Sequence, residues 1–132
     1  MSQQNLPTNM ALPFVSVRSL MRRYSDRDHT KKALVDLDRD VSITYGEMNE
    51  LVGRIAQYLR DLGLGVGDKI ALLSEENLEK LLLWLGIWRI GAVVCPLNVE
   101  INRTHIGEIL SQIEPAFVLW HEGLDGVALM RG

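Results

Sequence analysis

Apolar and polar residues change period several times along this 132-residue chain. Phe14, Val17, Leu20, Met21 and Tyr24 fall at steps of three and four, which predicts a short helix running to about Ser25. The polar run from Asp26 to Lys32 predicts a loop. From Ala33 the period is two. Ala33, Val35 and Leu37 alternate with Leu34, Asp36 and Asp38, and Val41, Ile43 and Tyr45 alternate with Ser42 and Thr44. With Asp38-Arg39-Asp40 between them, the two runs predict a β-hairpin.

Thr44-Tyr45-Gly46-Glu47 then has the form of a capping box, in which the threonine hydroxyl and the glutamate carboxylate satisfy each other's backbone N–H groups. Behind it Met48, Leu51, Val52, Ile55, Ala56, Leu59 and Leu62 make one apolar stripe, ended by Gly63, Gly65 and Gly67. These glycines follow a helix, whereas a phosphate-cradling loop follows a strand and opens a helix, so they predict a helix stop. Lys69 to Ser74 reads as a buried strand, and Asn77 as the N-cap of the next helix. That helix is apolar nearly all round, with Leu78, Leu81 to Leu85, Ile87 and Trp88, and is expected between two layers. It ends at Gly91, and a strand is expected from Ala92 to Leu97, stopping near Pro96. Ile106, Ile109, Leu110 and Ile113 give a further helical stripe, Pro115 follows, and Ala116 to Trp120 is a third strand.

Helix, hairpin and then alternating helices and strands argue for an α/β fold. Its parallel sheet is built from βαβ units and carries helices on its faces. The expected organisation is a flexible arm over residues 1–12, one folded unit over 13–122 and an irregular tail over 123–132. Hydrophobic residues at 47% and charged residues at 23% fit a globular chain. With 14 basic and 17 acidic residues the net charge is −3, which argues against a dedicated nucleic-acid binder. The most apolar window, Leu81 to Trp88, is eight residues long and bracketed by Lys80 and Arg89. That is far short of the ~20 residues a bilayer-spanning helix needs. The N-terminus has no basic leader followed by an apolar run, so a cytoplasmic location is expected.

Two stretches carry more than fold information. The first is Ile43-Thr44-Tyr45-Gly46-Glu47-Met48 with Gly67-Asp68-Lys69-Ile70-Ala71 after its helix. The second is Trp88-Arg89-Ile90-Gly91-Ala92-Val93-Val94-Cys95-Pro96-Leu97-Asn98. Together they resemble the start of the adenylate-forming (AMP-binding) enzymes, which include acyl- and aryl-CoA synthetases, luciferases and the adenylation domains of peptide synthetases. Pro96-Leu97-Asn98, followed by Asn102 to Leu110, is most similar to the acyl-CoA synthetase branch. Met48, Arg89 and Ile90 depart from the usual residues of those motifs.

The resemblance implies a partial N-terminal subdomain of a much longer enzyme. It also implies ATP-dependent activation of a carboxylate through an acyl-adenylate, then thioester formation with CoA. ATP, Mg²⁺ and CoA would serve the full-length enzyme. The family's Gly/Ser/Thr-rich triphosphate loop and its late catalytic lysine have no counterpart here. No catalytic, cofactor-binding or metal-ligating residue is therefore assigned. The expected partner is the remainder of the enzyme chain, or a second copy met through an exposed apolar face. A small standalone α/β interaction module is the alternative, with Trp84, Trp88 and Trp120 as candidate contacts.

The isolated reactive residues read as structural. Cys95 lies in an apolar strand and reads as a small hydrophobe. His29, His105 and His121 lack metal-ligand spacing. Glu75-Glu76 follow a strand where open α/β sheets bind ligands, but charge at the start of the next helix accounts for them.

Overall fold

The computed structural model describes residues 14–100, 104–121 and 127–130. The arm expected over residues 1–12 lies outside them.

Helix α1 spans Val17–Arg27. Ser16 caps it, its hydroxyl accepting from the Ser19 N–H at 3.1 Å. Phe14 precedes the helix and stands clear of the core, so the apolar stripe begins at Val17 rather than Phe14. The helix also runs two residues past Ser25. Arg27 fits the negative end of the helix dipole and lies 4.9 Å from the centroid of the Tyr24 ring.

Strands β1 (Lys32–Asp36) and β2 (Val41–Thr44) form the expected antiparallel hairpin, with Leu34 opposite Ile43 and Asp36 opposite Val41. The first strand stops at Asp36 rather than Leu37. The Asp36 carboxylate accepts from the Asp38 and Arg39 N–H groups, which bends the chain into the turn and leaves Leu37 exposed.

Helix α2, Tyr45–Asp61, opens on the complete capping box. The Thr44 hydroxyl accepts from the Glu47 N–H at 3.1 Å, and Glu47 Oε1 accepts from the Thr44 N–H at 3.2 Å. Strand β3 is Lys69–Ser74, and α3 is Leu78–Arg89, capped by Asn77 Oδ1 accepting from the Lys80 N–H at 2.8 Å. Strand β4 is Val93–Asn98, α4 is Ile106–Ile113, β5 is Phe117–His121 and β6 is Val127–Met130.

Two expectations are corrected here. Strand β4 runs through Pro96 to Asn98; among the described residues it is an edge strand, where a proline is tolerated. The tail expected to be irregular contains β6, which pairs antiparallel with β5.

The main sheet has the order β4-β3-β5-β6, with β3, β4 and β5 parallel. The chain leaves β3 for β4 on one side and returns past β3 to β5 on the other. Two crossovers of one hand, travelling in opposite directions, put their helices on opposite faces. The side chains show it. Ile70, Leu72, Phe117 and Leu119 pack against Ala56 and Leu59 of α2 and Leu83 and Ile87 of α3. Ala71, Leu73 and Val118 point the other way, towards Ile106 and Leu110 of α4.

Helix α3 also supplies Leu82 to a further cluster with Met21, Ile43, Met48 and Val52 under the hairpin. It therefore lies between two layers, which explains its near-continuous apolar sequence. Its crossing with α2 is tight: a Cβ on Gly86 would come within 2.4 Å of Ile55 Cγ2.

Candidate functional site

In an open α/β sheet the ligand crevice forms beyond the carboxyl ends of the strands, where successive crossovers diverge. Here that point lies between β3 and β5, with Ser74 paired to His121. The chain leaving β3 there is tightly held. Ser74 is fully buried and its hydroxyl donates to the Glu75 carbonyl at 2.8 Å. Glu75 is exposed. Glu76 accepts a hydrogen bond from Lys80 Nζ one helical turn on. Asn77 is engaged in the helix cap.

A groove of about 560 Å³ runs beside this loop, between the hairpin turn and the start of α3. Its charges are paired across it. Arg39 Nε donates to Asp36 Oδ2 at 2.7 Å, while Nη1 and Nη2 donate to Glu79 Oε1 and Oε2 at 2.7 and 2.9 Å. The hydrogen bond from Arg39 holds the Asp36 carboxyl below its usual pKa, and Glu79 followed by Asp36 raises that of Arg39. This is a clamp between hairpin and helix, in which each ion already has its partner.

Lys80 corrects a reading made from hydropathy alone. It marks a polar boundary in the sequence, yet its side chain is only 7% exposed, whereas its partner Glu76 is 73% exposed. The i,i+4 spacing of Glu76 and Lys80 was the available signal. No comparable signal joins Arg39 to Glu79, forty residues apart in the chain.

No group of three or more His, Cys, Asp or Glu among the described residues could hold a metal ion. His105 stands near Glu108 on exposed α4, with Nδ1 3.9 Å from Oε2. Cys95 is half-buried in β4 beside Ala71. The tryptophans divide between the sheet's faces: Trp84 packs on the α2–α3 side and Trp120 on the α4 side. Trp84 and Trp88 meet edge to face with ring centroids 5.7 Å apart, and the buried Trp84 Nε1 has no hydrogen-bond partner.

The two distinctive sequence stretches meet through the backbone. The Gly67 N–H donates to the Gly91 carbonyl at 3.0 Å, and the Val93 N–H donates to the Asp68 carbonyl at 2.8 Å. Gly91 has φ +78°, and a Cβ there would also press on Val66 Cγ2 at 2.9 Å. Thr44 and Glu47 are used as a helix cap. These residues fix backbone geometry and leave little free to react.

The family model for AMP-binding enzyme matches residues 21–130. The chain belongs to the AMP-binding enzyme family. It is 35% identical over 89 residues to the long-chain-fatty-acid–CoA ligase FadD13 of Mycobacterium tuberculosis, a match covering 67% of this chain and 18% of that protein. It is 30% identical over 104 residues to bacitracin synthase 3 of Bacillus licheniformis, covering 79% of this chain and 2% of that protein. The chain therefore spans less than a fifth of the length of either relative.

Among solved structures, the N-terminal domain of FACL13 from Mycobacterium tuberculosis superposes with a TM-score of 0.72 at 30% identity, over 80% of this chain and 26% of that one. The Klebsiella oxytoca NpsA N-terminal subdomain gives a TM-score of 0.73 at 27% identity, over 85% of this chain and 29% of that one. The fold is thus an N-terminal portion of the adenylate-forming architecture.

The family's cofactors can be tested against the residues present. A triphosphate needs convergent N–H donors and cations at a strand-to-helix turn. The Gly63–Gly67 turn instead joins α2 to β3, and Lys69 beside it donates to the Ile113 carbonyl at 2.7 Å. That turn does not fit a triphosphate site. No helix among them is long and apolar enough to cross a membrane.

Proposed function

We propose that this chain forms the N-terminal sheet wall of an AMP-dependent acyl-CoA ligase. The complete enzyme would activate a carboxylic acid with ATP and Mg²⁺ and join it to CoA, in the cytoplasm. The observation that carries this reading is the use of both family stretches as backbone devices. The Thr44–Glu47 cap starts α2, and the Gly67–Gly91 contact sets the entries to β3 and β4. What the chain shares with its relatives is therefore scaffold.

In this reading residues 13–122 form the main body of the unit, and its partner is the rest of a ligase chain. Catalysis then depends on that remainder, and the 132-residue chain alone turns over nothing.

A split-enzyme experiment tests this. FadD13 is produced without the segment that this chain matches and is mixed with the 132-residue chain. Pyrophosphate release from ATP and a long-chain fatty acid is then followed. The mixture should release pyrophosphate and each part alone should not. Release by this chain alone would overturn the scaffold role, and failure of the mixture would overturn the proposed wall.

A further inference from the structure

Strand β4 ends one side of the main sheet, and among the described residues no strand pairs on its outer edge. Its inner edge pairs with β3 from Val93 opposite Lys69 to Asn98 opposite Ser74. The Val93 N–H donates to the Asp68 carbonyl at 2.8 Å, so Val93 turns its backbone groups towards β3. Along a parallel ladder this direction alternates. The backbone groups of Cys95 and Leu97 therefore also face β3, and those of Val94 and Pro96 face outward. Val94 offers an N–H and a carbonyl to a further strand, and Pro96 its carbonyl alone.

Open edges are commonly blunted by charged side chains, lysine above all. The segment Val93–Asn98 carries none. The core also thins across this edge. Ile70, Ala71 and Leu72 of β3 are fully buried, whereas Val94 and Cys95 opposite the first two are half-buried and Pro96 opposite the third is exposed. Val93 is 47% exposed. A strand laid beside β4 would cover these side chains as β4 covers those of β3.

Pro96 discriminates between occupants. A second copy of the chain brings a second Pro96. A register that sets the two prolines opposite each other loses both hydrogen bonds of that pair, and a register that offsets them loses one at each. A strand without proline loses one alone. The match to FadD13 covers 18% of that protein and the match to the FACL13 domain 26% of that chain, so most of the chain of these relatives lies outside the matched part.

We propose that the outer edge of β4 docks a proline-free strand from the remainder of the ligase chain, paired through the backbone of Val94. This rests on the reading of the chain as one wall of a ligase.

Amide hydrogen exchange of the isotopically labelled 132-residue chain tests it, alone and mixed with FadD13 that lacks the matched segment. The outward Val94 amide should exchange about tenfold more slowly, or slower still, in the mixture. Val94→Pro deletes that N–H and leaves the bonds of Val93 and Cys95 to β3 in place. It should weaken association about tenfold, the worth of one hydrogen bond. Circular dichroism and the urea midpoint report whether the variant keeps its fold. Should it misfold, Val93→Lys replaces it with the same criteria, since it puts a charge on the edge at an exposed position.

Protection of Val94 in the mixture, with association weakened in the variant, supports the proposal whether or not pyrophosphate is released. A mixture that releases pyrophosphate with Val94 exchange unchanged, or with the variant associating as tightly, would overturn edge pairing and leave the wall reading standing. Protection of Val94 in the chain alone, accompanied by a dimer in sedimentation, would give the edge to a second copy and overturn it too. Failure of the parts to associate would overturn both readings.

Discussion

Arg39 in the hairpin turn grips both carboxylate oxygens of Glu79 in the first turn of α3, at 2.7 and 2.9 Å. The same guanidinium holds Asp36, and with the Arg39 N–H it keeps that carboxyl below its usual pKa. A carboxylate depressed in the folded state contributes stability that is fully present above its unfolded value, near pH 4, and is lost as pH falls through the folded value. Urea midpoints should therefore fall below about pH 4 more steeply in the parent chain than in Asp36→Asn. At pH 7 the parent should be the more stable of the two. Equal slopes would show that the hairpin clamp does not couple to folding.

The Lys80–Glu76 pair tests a different cost. Lys80 is 7% exposed, so its ammonium depends on the carboxylate of Glu76 to replace lost water. Glu76→Gln should cost about 1–3 kcal/mol, because it leaves a buried charge without its counter-ion. Lys80→Met should cost much less, since an apolar chain of similar length removes the buried charge altogether. Urea unfolding at neutral pH measures both. The reverse ranking would mean that water reaches the ammonium.

Local patterns made most of the fold legible. The hairpin, the capping box, β3 and the Asn77 cap each depend on residues a few positions apart, and each lies where the pattern puts it. The family motifs were legible for the same reason. The rest depends on distant packing. Pro96 lies inside β4, which is an edge strand among the described residues, and strand order is not written in the β4 residues themselves. Strand β6 is four residues long, too short for its alternation to stand out without the β5 neighbour that orders it.

The α2–α3 crossing rests on Gly86. A Cβ there would meet Ile55 Cγ2 at 2.4 Å and Ile55 Cβ at 3.0 Å. Gly86→Ala would gain about 1 kcal/mol of helix propensity, set against about 1–3 kcal/mol of overpacking. A net loss of about 1 kcal/mol is expected. Adding Ile55→Ala removes the closest atom. The double variant should therefore be more stable than the two single losses summed, with a coupling of about 1 kcal/mol. Strict additivity in thermal or urea unfolding would show that the helices can shift apart at no cost.

Glu114 closes α4 with φ +51°, and its N–H donates to the Leu110 carbonyl at 3.0 Å. A non-glycine residue pays a steric cost in this left-handed conformation because its Cβ crowds the following peptide. Glycine at that helix end removes the crowding, although it also leaves the unfolded chain with more freedom to lose. The first effect is the larger, so Glu114→Gly should stabilise the chain by about 0.5–1 kcal/mol. Glu114→Ala, which keeps the Cβ, should give no such gain. Because Ile106 and Leu110 of α4 pack on Ala71, Leu73 and Val118, the glycine variant should also slow amide exchange in α4 and in the adjoining strands. A gain in Glu114→Ala equal to that in Glu114→Gly would assign the effect to the lost charge rather than to the backbone.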